Sequence, residues 1–210
     1  MSVLNVKGIT ELRMVLERLL RAYEEVRGLI ERRIEEFRSV DRSDPFRLFE
    51  ELAFCVMTPQ SKAKAAIRAI DELKAIGLLL SGRASEVAEV MRRNGIRFHV
   101  RKARYLVLNR RLLRGEPAVL VGLLQGETGS VRDALVEEVW GFGLKEASHF
   151  MRNVGFTGIA VLDRHVLRWM VALGAIERIP RSLTRRTYLE LERRFLALSG
   201  ELGMSPEELD

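Results

Sequence analysis

Apolar residues recur at spacings of three and four along nearly the whole chain, which is the pattern of helices with one buried face. The longest run covers 9–38. Ile9, Leu12, Leu16, Leu19, Leu20, Tyr23, Val26, Leu29, Ile30, Ile34 and Phe37 fall on the repeat. Glu and Arg residues between them suit i,i+4 pairing on a solvated face, and Thr10 fits an N-cap. Asp44-Pro45 is a cleaner start, with a cap residue followed by a proline at the first helical position. That helix carries Phe46, Leu48, Phe49, Leu52, Ala53 and Val56 and breaks at Thr58-Pro59. Further helices are predicted over 61–76 (closed by Gly77), 85–93, 102–113, 131–140, 145–153, 163–173 and 183–198. A short element begins at Gly115-Glu116-Pro117 and ends by 126–129. The one β-branched stretch, 158–162, is short and bounded by helices, so it reads as an extended connector into a buried helix start. The fold class is therefore all-α, with no internal repeat and no low-complexity segment.

Composition narrows the chemistry. Of 210 residues 47% are hydrophobic, enough for a packed core. No apolar run approaches the roughly 20 residues needed to span a bilayer. The N-terminus has no basic-then-apolar signal pattern, so a cytoplasmic protein is expected. A single cysteine, Cys55, excludes an internal disulfide, a cysteine-ligated cluster and a zinc finger. His99, His149 and His165 form no ligand pair, so neither metal nor other cofactor is expected. Asn and Gln together number six against 30% charged residues, which fits a heat-adapted source or plain compositional drift. The net charge is +6. From Arg92 to Arg114 there are nine basic residues and no acid, which permits a polyanionic partner.

The most informative stretch is Val136-Glu-Glu-Val-Trp-Gly-Phe-Gly-Leu-Lys-Glu-Ala147. A helix enters, Gly141 and Gly143 flank Phe142, and a second helix leaves from Leu144. The glycines permit a tight turn with positive φ, and the backbone there can approach another molecule. The second helix then presents free N–H groups and the positive end of its dipole. Such a device grips a nucleic-acid phosphate without reading sequence.

This apolar-Gly-apolar-Gly pattern resembles the helix-hairpin-helix DNA-binding motif, placed at about 131–153. Lys145 after the glycines, followed by Val161-Leu-Asp-Arg-His-Val166, resembles the helix-hairpin-helix DNA glycosylase superfamily. Within it the chain is most similar to the archaeal-type 8-oxoguanine DNA glycosylase/AP lyase family. The strings carrying the likeness are Met57-Thr-Pro-Gln-Ser-Lys-Ala63, Asn94-Gly-Ile-Arg-Phe-His99, Arg101-Lys-Ala-Arg-Tyr105, Gly143-Leu-Lys-Glu-Ala-Ser-His-Phe150 and Arg152-Asn-Val-Gly-Phe156. Members of that family continue past a Ser-Pro-Glu-Glu-Leu-Asp-like stretch into a short aromatic tail ending in lysine, associated with binding the damaged base. This sequence ends at Asp210.

The resemblance implies a bifunctional enzyme. Its partner would be double-stranded DNA containing oxidised guanine or abasic sites. Lys145 would be the nucleophile and Asp163 the carboxylate that stabilises positive charge on the sugar. A lysine in that role must be partly deprotonated, which burial or a helix N-terminus promotes. Gly141, Phe142, Gly143 and Leu144 would meet the DNA backbone. Gln60 resembles the residue that fills the gap left by an extruded base, or is an ordinary polar residue at a helix start. Lys102 and Arg104 face phosphate or solvent. Trp140 and Trp169 are expected in the core, and His165 is expected to be buried and hydrogen-bonded. Two helical subdomains are expected, 1–50 with 156–210 and 51–155, with a cleft between. Two other readings use the same residues: a non-catalytic helix-hairpin-helix DNA-binding module, and a sister glycosylase for oxidised pyrimidines or mismatches.

Overall fold

The structure is a computed structural model that describes residues 3–210, with side chains at Thr10 and from 12 onward. Helices account for all its regular structure. They are α1 (Val3–Arg38), α2 (Pro45–Met57), α3 (Ala63–Ala75), α4 (Ala84–Arg93), α5 (His99–Asn109), α6 (Val119–Gly122), α7 (Thr128–Glu138), α8 (Leu144–Asn153), α9 (Arg164–Ala172), α10 (Arg185–Glu201) and α11 (Pro206–Leu209). A 3-10 turn, Arg110–Leu113, extends α5. No described helix is long and apolar enough to cross a membrane.

The strongest local signals appear as read. Asp44 caps α2 by accepting the N–H groups of Phe46 and Arg47 at 2.9 and 3.1 Å, and Pro45 opens the helix. Other boundaries differ. Thr10 lies inside α1 rather than at its start. Helix α5 begins three residues before the expected Lys102, because Phe98 takes a left-handed conformation (φ 57°) and turns the chain into the helix. Helix α7 stops at Glu138, two residues short of the expected end.

The chain divides into two compact units, Ser39–Val154 and Met1–Arg38 with Gly155–Asp210. The first is built around α2, which packs against α3, α5, α6 and α8. Being surrounded, α2 buries Leu48, Phe49, Leu52, Ala53, Cys55, Val56 and Met57. Each large side chain of that set contributes about 1.5–3 kcal/mol by leaving water. The second unit packs α11 against α1 and α10, and Tyr188, Leu191 and Phe195 of α10 are buried within it.

The stretch 158–162 is an extended connector in this second unit. Side chains on α10 and α11 satisfy its backbone. The Tyr188 hydroxyl donates to the Ala160 carbonyl at 2.8 Å, and Glu192 and Glu207 accept the N–H groups of Ala160 and Gly158 at 3.2 and 2.7 Å. Ile159, Ala160, Val161 and Leu162 are buried, as an unpaired extended segment requires only when its polar groups find partners.

Candidate active site

The hairpin between α7 and α8 is fixed from both sides. Asn109, at the end of α5 and fully buried, grips the peptide groups of Trp140. Its Oδ1 accepts the Trp140 N–H at 2.8 Å, and its Nδ2 donates to the Trp140 carbonyl at 3.0 Å. Arg111 donates to the Glu138 carbonyl at 2.7 Å and pairs with its carboxylate at 2.8 Å. Gly141 has φ +94°, and a Cβ there would stand 2.7 Å from Tyr105 Cδ2. It must be glycine on both counts. Gly143 is different. Its φ of −113° and ψ of −172° are extended backbone open to any residue. Positive φ is thus confined to the first hairpin glycine. Gly143 serves as the N-cap of α8, and its N–H donates to Glu146 Oε2 at 3.3 Å.

Phe142 does not present its ring outward. It is 8% exposed and packs 5.9 Å from the Phe150 ring. It anchors the turn to the core, and only the backbone of Gly141 to Leu144 remains for a ligand. Glu146 takes the N–H of the N-cap Gly143, but no N-cap side chain accepts the N–H groups of the first turn of α8, so these are open to an anion.

Lys145 is the second residue of α8. Its side chain is 28% exposed, and Nζ lies 3.1 Å from Glu146 Oε1. Its positive charge acts on Lys102, His149 and Cys55. His149 is pushed down to about 3 by burial, with Arg152 and Lys145 adding to the effect. Its imidazole is therefore neutral at neutral pH, set edge-on to Phe54 at 5.7 Å. Burial pushes the Cys55 thiol well up, so it stays protonated and inert. Lys145 is the partly exposed amine of this neighbourhood.

Lys102 is not a phosphate contact. It is 5% exposed, and its ammonium donates to the carbonyls of Met57 and Pro59, each at 2.7 Å, and to Ser61 Oγ at 3.2 Å. Burial, followed by the charges of Arg101, Lys145 and Arg97, lowers its pKa to about 8. The three acceptors surround the turn between α2 and α3, which carries Gln60. That residue is exposed and left-handed at φ 57°. Ser61 Oγ also accepts the Arg97 N–H at 3.0 Å. The turn is thereby tied to Phe98, whose 44% exposed ring lies under the guanidinium groups of Arg97 and Arg101 at 5.5 and 5.4 Å. Gln60 and Phe98 are the non-glycine residues with positive φ among the described residues. Such strain persists where the surroundings enforce it, and it clusters at functional sites. Arg104 is exposed on α5.

In the other unit, Asp163 ends the buried connector and caps α9. Its Oδ1 accepts the N–H groups of His165 and Val166 at 2.7 and 2.9 Å. Both bonds use the same oxygen, leaving Oδ2 available. His165 is exposed, not buried as expected, because the inward stripe of α9 is Val166, Leu167 and Met170. Trp169 is 43% exposed for the same reason. Trp140 is 52% exposed and stacks on Tyr105 at 6.5 Å, since α7 has already ended and Asn109 holds its backbone. Neither tryptophan is core. Among the described residues no group of three His, Cys, Asp or Glu is placed to hold a metal ion.

An all-helical chain with this hairpin, an uncapped helix start and a lysine in its first turn has the architecture of a helix-hairpin-helix nucleic-acid enzyme. Comparison with known proteins gives the family. The model of the family described as 8-oxoguanine DNA glycosylase matches residues 30–204, and the chain belongs to it. It is 37% identical to the 8-oxoguanine DNA glycosylase/AP lyase of Methanocaldococcus jannaschii, over 89% of this chain and 87% of that protein. The Thermotoga petrophila protein of the same description is 37% identical over 93% and 92%. Among solved structures it is similar to the 8-oxoguanine DNA glycosylase of Thermotoga maritima. The TM-score there is 0.83 with 35% identity, covering 95% of this chain and 93% of that one. It is equally close, at TM-score 0.83 and 32% identity, to the Methanocaldococcus jannaschii enzyme in complex with DNA containing 8-oxoguanine, covering 94% and 93%.

Proposed function

We propose that the protein removes 8-oxoguanine from double-stranded DNA and then cuts the strand at the resulting site. The observation that carries the reading is the placement of Lys145, in the first turn of an uncapped helix directly after a rigid hairpin. The lesion base is extruded from the duplex. As the N-glycosidic bond breaks, positive charge grows on the sugar, and the Asp163 carboxylate stabilises it through Oδ2. The Lys145 amine attacks C1′, the base leaves with the bond pair and takes up a proton, and the sugar ring opens to a Schiff base. Loss of a proton from C2′ then expels the 3′ phosphate by β-elimination. The backbone of Gly141, Gly143 and Leu144 holds a phosphate at the start of α8, Arg104 supplies a further phosphate contact, and Gln60 occupies the gap left in the stack. Damaged guanine and abasic sites are the substrates in this reading. Genomic DNA as substrate sets the work in the cytoplasm, at the nucleoid.

Borohydride reduction during incubation with lesion duplex traps wild-type protein as a covalent complex, and Lys145→Ala abolishes the trap. A Lys145→Ala variant that traps as well as wild type removes lysine from the mechanism. Binding with no product from lesion or abasic duplex defines a DNA-binding module instead. A panel of oxidised pyrimidines and mismatches separates the sister activities.

A further inference from the structure

Several exposed arginines of this chain have acidic partners one helical turn away. Arg13 pairs with Glu17, Arg27 with Glu31, Arg47 with Glu50 and Glu51, and Arg194 with Glu190. Arg164, Arg168 and Arg181 depart from this habit. All three are exposed, and none has an ion-pair or hydrogen-bonded partner among the described residues. They line one open groove of about 500 Å³, shared with Ser182, Ile179 and Leu183 and lined by no carboxylate. Arg164 and Arg168 stand one turn apart on α9, where like charges repel by a few tenths of a kcal/mol. From 164 to 186 the chain holds six arginines and one acid, Glu177. A concave surface of unpaired guanidinium groups suits phosphate, which such groups bind in bidentate fashion.

We infer that the groove lined by Arg164, Arg168 and Arg181 is a second DNA-backbone surface, which takes up phosphates of the strand next to the lesion nucleotide. This rests on the proposed glycosylase reading. Continuity supports DNA as the occupant: Arg164 directly follows Asp163, so a strand whose sugar meets that carboxylate runs on to α9. The groove makes no base contact, so its contribution is independent of sequence and sensitive to salt.

The test is the salt dependence of binding to a lesion duplex by the full chain. Each lost phosphate contact removes about 0.9 from the slope of log K against log salt. Arg168→Gln with Arg181→Gln therefore lowers the slope by about 1.8, and weakens binding about thirtyfold at about 0.15 M monovalent salt. The charge-preserving pair Arg168→Lys with Arg181→Lys keeps the slope. Arg13→Gln with Arg194→Gln, at ion-paired sites, also leaves it unchanged. An unchanged slope in the glutamine pair, while wild type still cleaves the lesion duplex, overturns the groove and leaves the glycosylase reading standing. A slope lost equally in the lysine pair overturns it too, since charge is then not the cause. If the glutamine pair keeps its duplex slope but loses flotation with phosphatidylserine vesicles, the surface belongs to lipid and the inference fails. Failure of wild type to cut the duplex refutes the glycosylase reading instead.

Discussion

Lys102→Met tests whether a buried ammonium holds the Gln60 turn. Methionine keeps the unbranched apolar stem and deletes the three bonds to Met57, Pro59 and Ser61. Bonds to a charged group are worth about 1.5–3 kcal/mol each, so the three together give roughly 5–9 kcal/mol. Burial opposes them: a pKa of about 8 instead of 10.5 corresponds to about 3 kcal/mol. The balance leaves a net loss of about 2–6 kcal/mol in the variant. A left-handed non-glycine residue costs about 1–2 kcal/mol. Without the clamp Gln60 therefore relaxes out of φ 57°. Urea unfolding followed by circular dichroism measures the loss, and single-turnover excision from lesion duplex falls about tenfold or more as the turn moves. In a Gln60→Gly background there is no strain to release, so the Lys102→Met penalty grows by about 1 kcal/mol. A penalty below about 0.5 kcal/mol, or one unchanged by Gln60→Gly, refutes the clamp.

Asp163→Asn keeps the cap bonds but removes the charge, so duplex binding persists while excision falls about a hundredfold or more; turnover at the wild-type rate excludes the carboxylate from catalysis. Asn109→Ala strips both bonds from the Trp140 peptide groups and lowers stability by about 1–3 kcal/mol, read as a lower urea midpoint. Gly141→Ala meets both a positive φ and the Tyr105 ring, and loses about 2 kcal/mol or more together with duplex affinity. His149 is neutral when folded, with its pKa held at about 3 below the ordinary 6.5. Its contribution is intact above pH 6.5 and is lost as pH falls towards 3, because the unfolded chain takes the proton first. His149→Leu removes that dependence and flattens the acid limb of the stability curve by up to about 1.4 kcal/mol per pH unit.

Legibility from sequence followed the physics of each position. The cap Asp44, whose side chain bonds its own helix, was readable because the interaction is local. The connector at 158–162 was readable from its flanks. The inward face of helix α5 was not, because it consists of Lys102, Ala103, Leu106 and Asn109, while Val100 and Leu108 face solvent. A helix that buries its polar members inverts the pattern on which periodicity depends. Lys102 and Asn109 find acceptors and donors 31 to 45 residues away, and no local rule reaches that far. Phe98 gave no sign of φ 57° because phenylalanine rarely adopts it. The roles of Lys145 and Asp163 were suggested by family likeness more than by spacing, since each alone is an ordinary first-turn lysine or cap. The arginine excess at 164–186 was countable in the sequence, but the lack of partners at Arg164, Arg168 and Arg181 was not.

The backbone of the segment leading to Asp163 is completed by Tyr188 and Glu192, which lie 25 and 29 residues further on. A ribosome must therefore release α10 before that carboxylate acquires its setting, although Lys145 and the hairpin emerge much earlier. A nascent or clipped chain lacking α10 therefore carries the hairpin and Lys145 while the connector that ends in Asp163 still lacks the partners of its buried backbone. Under the proposed mechanism, such a chain holds DNA without excising the base.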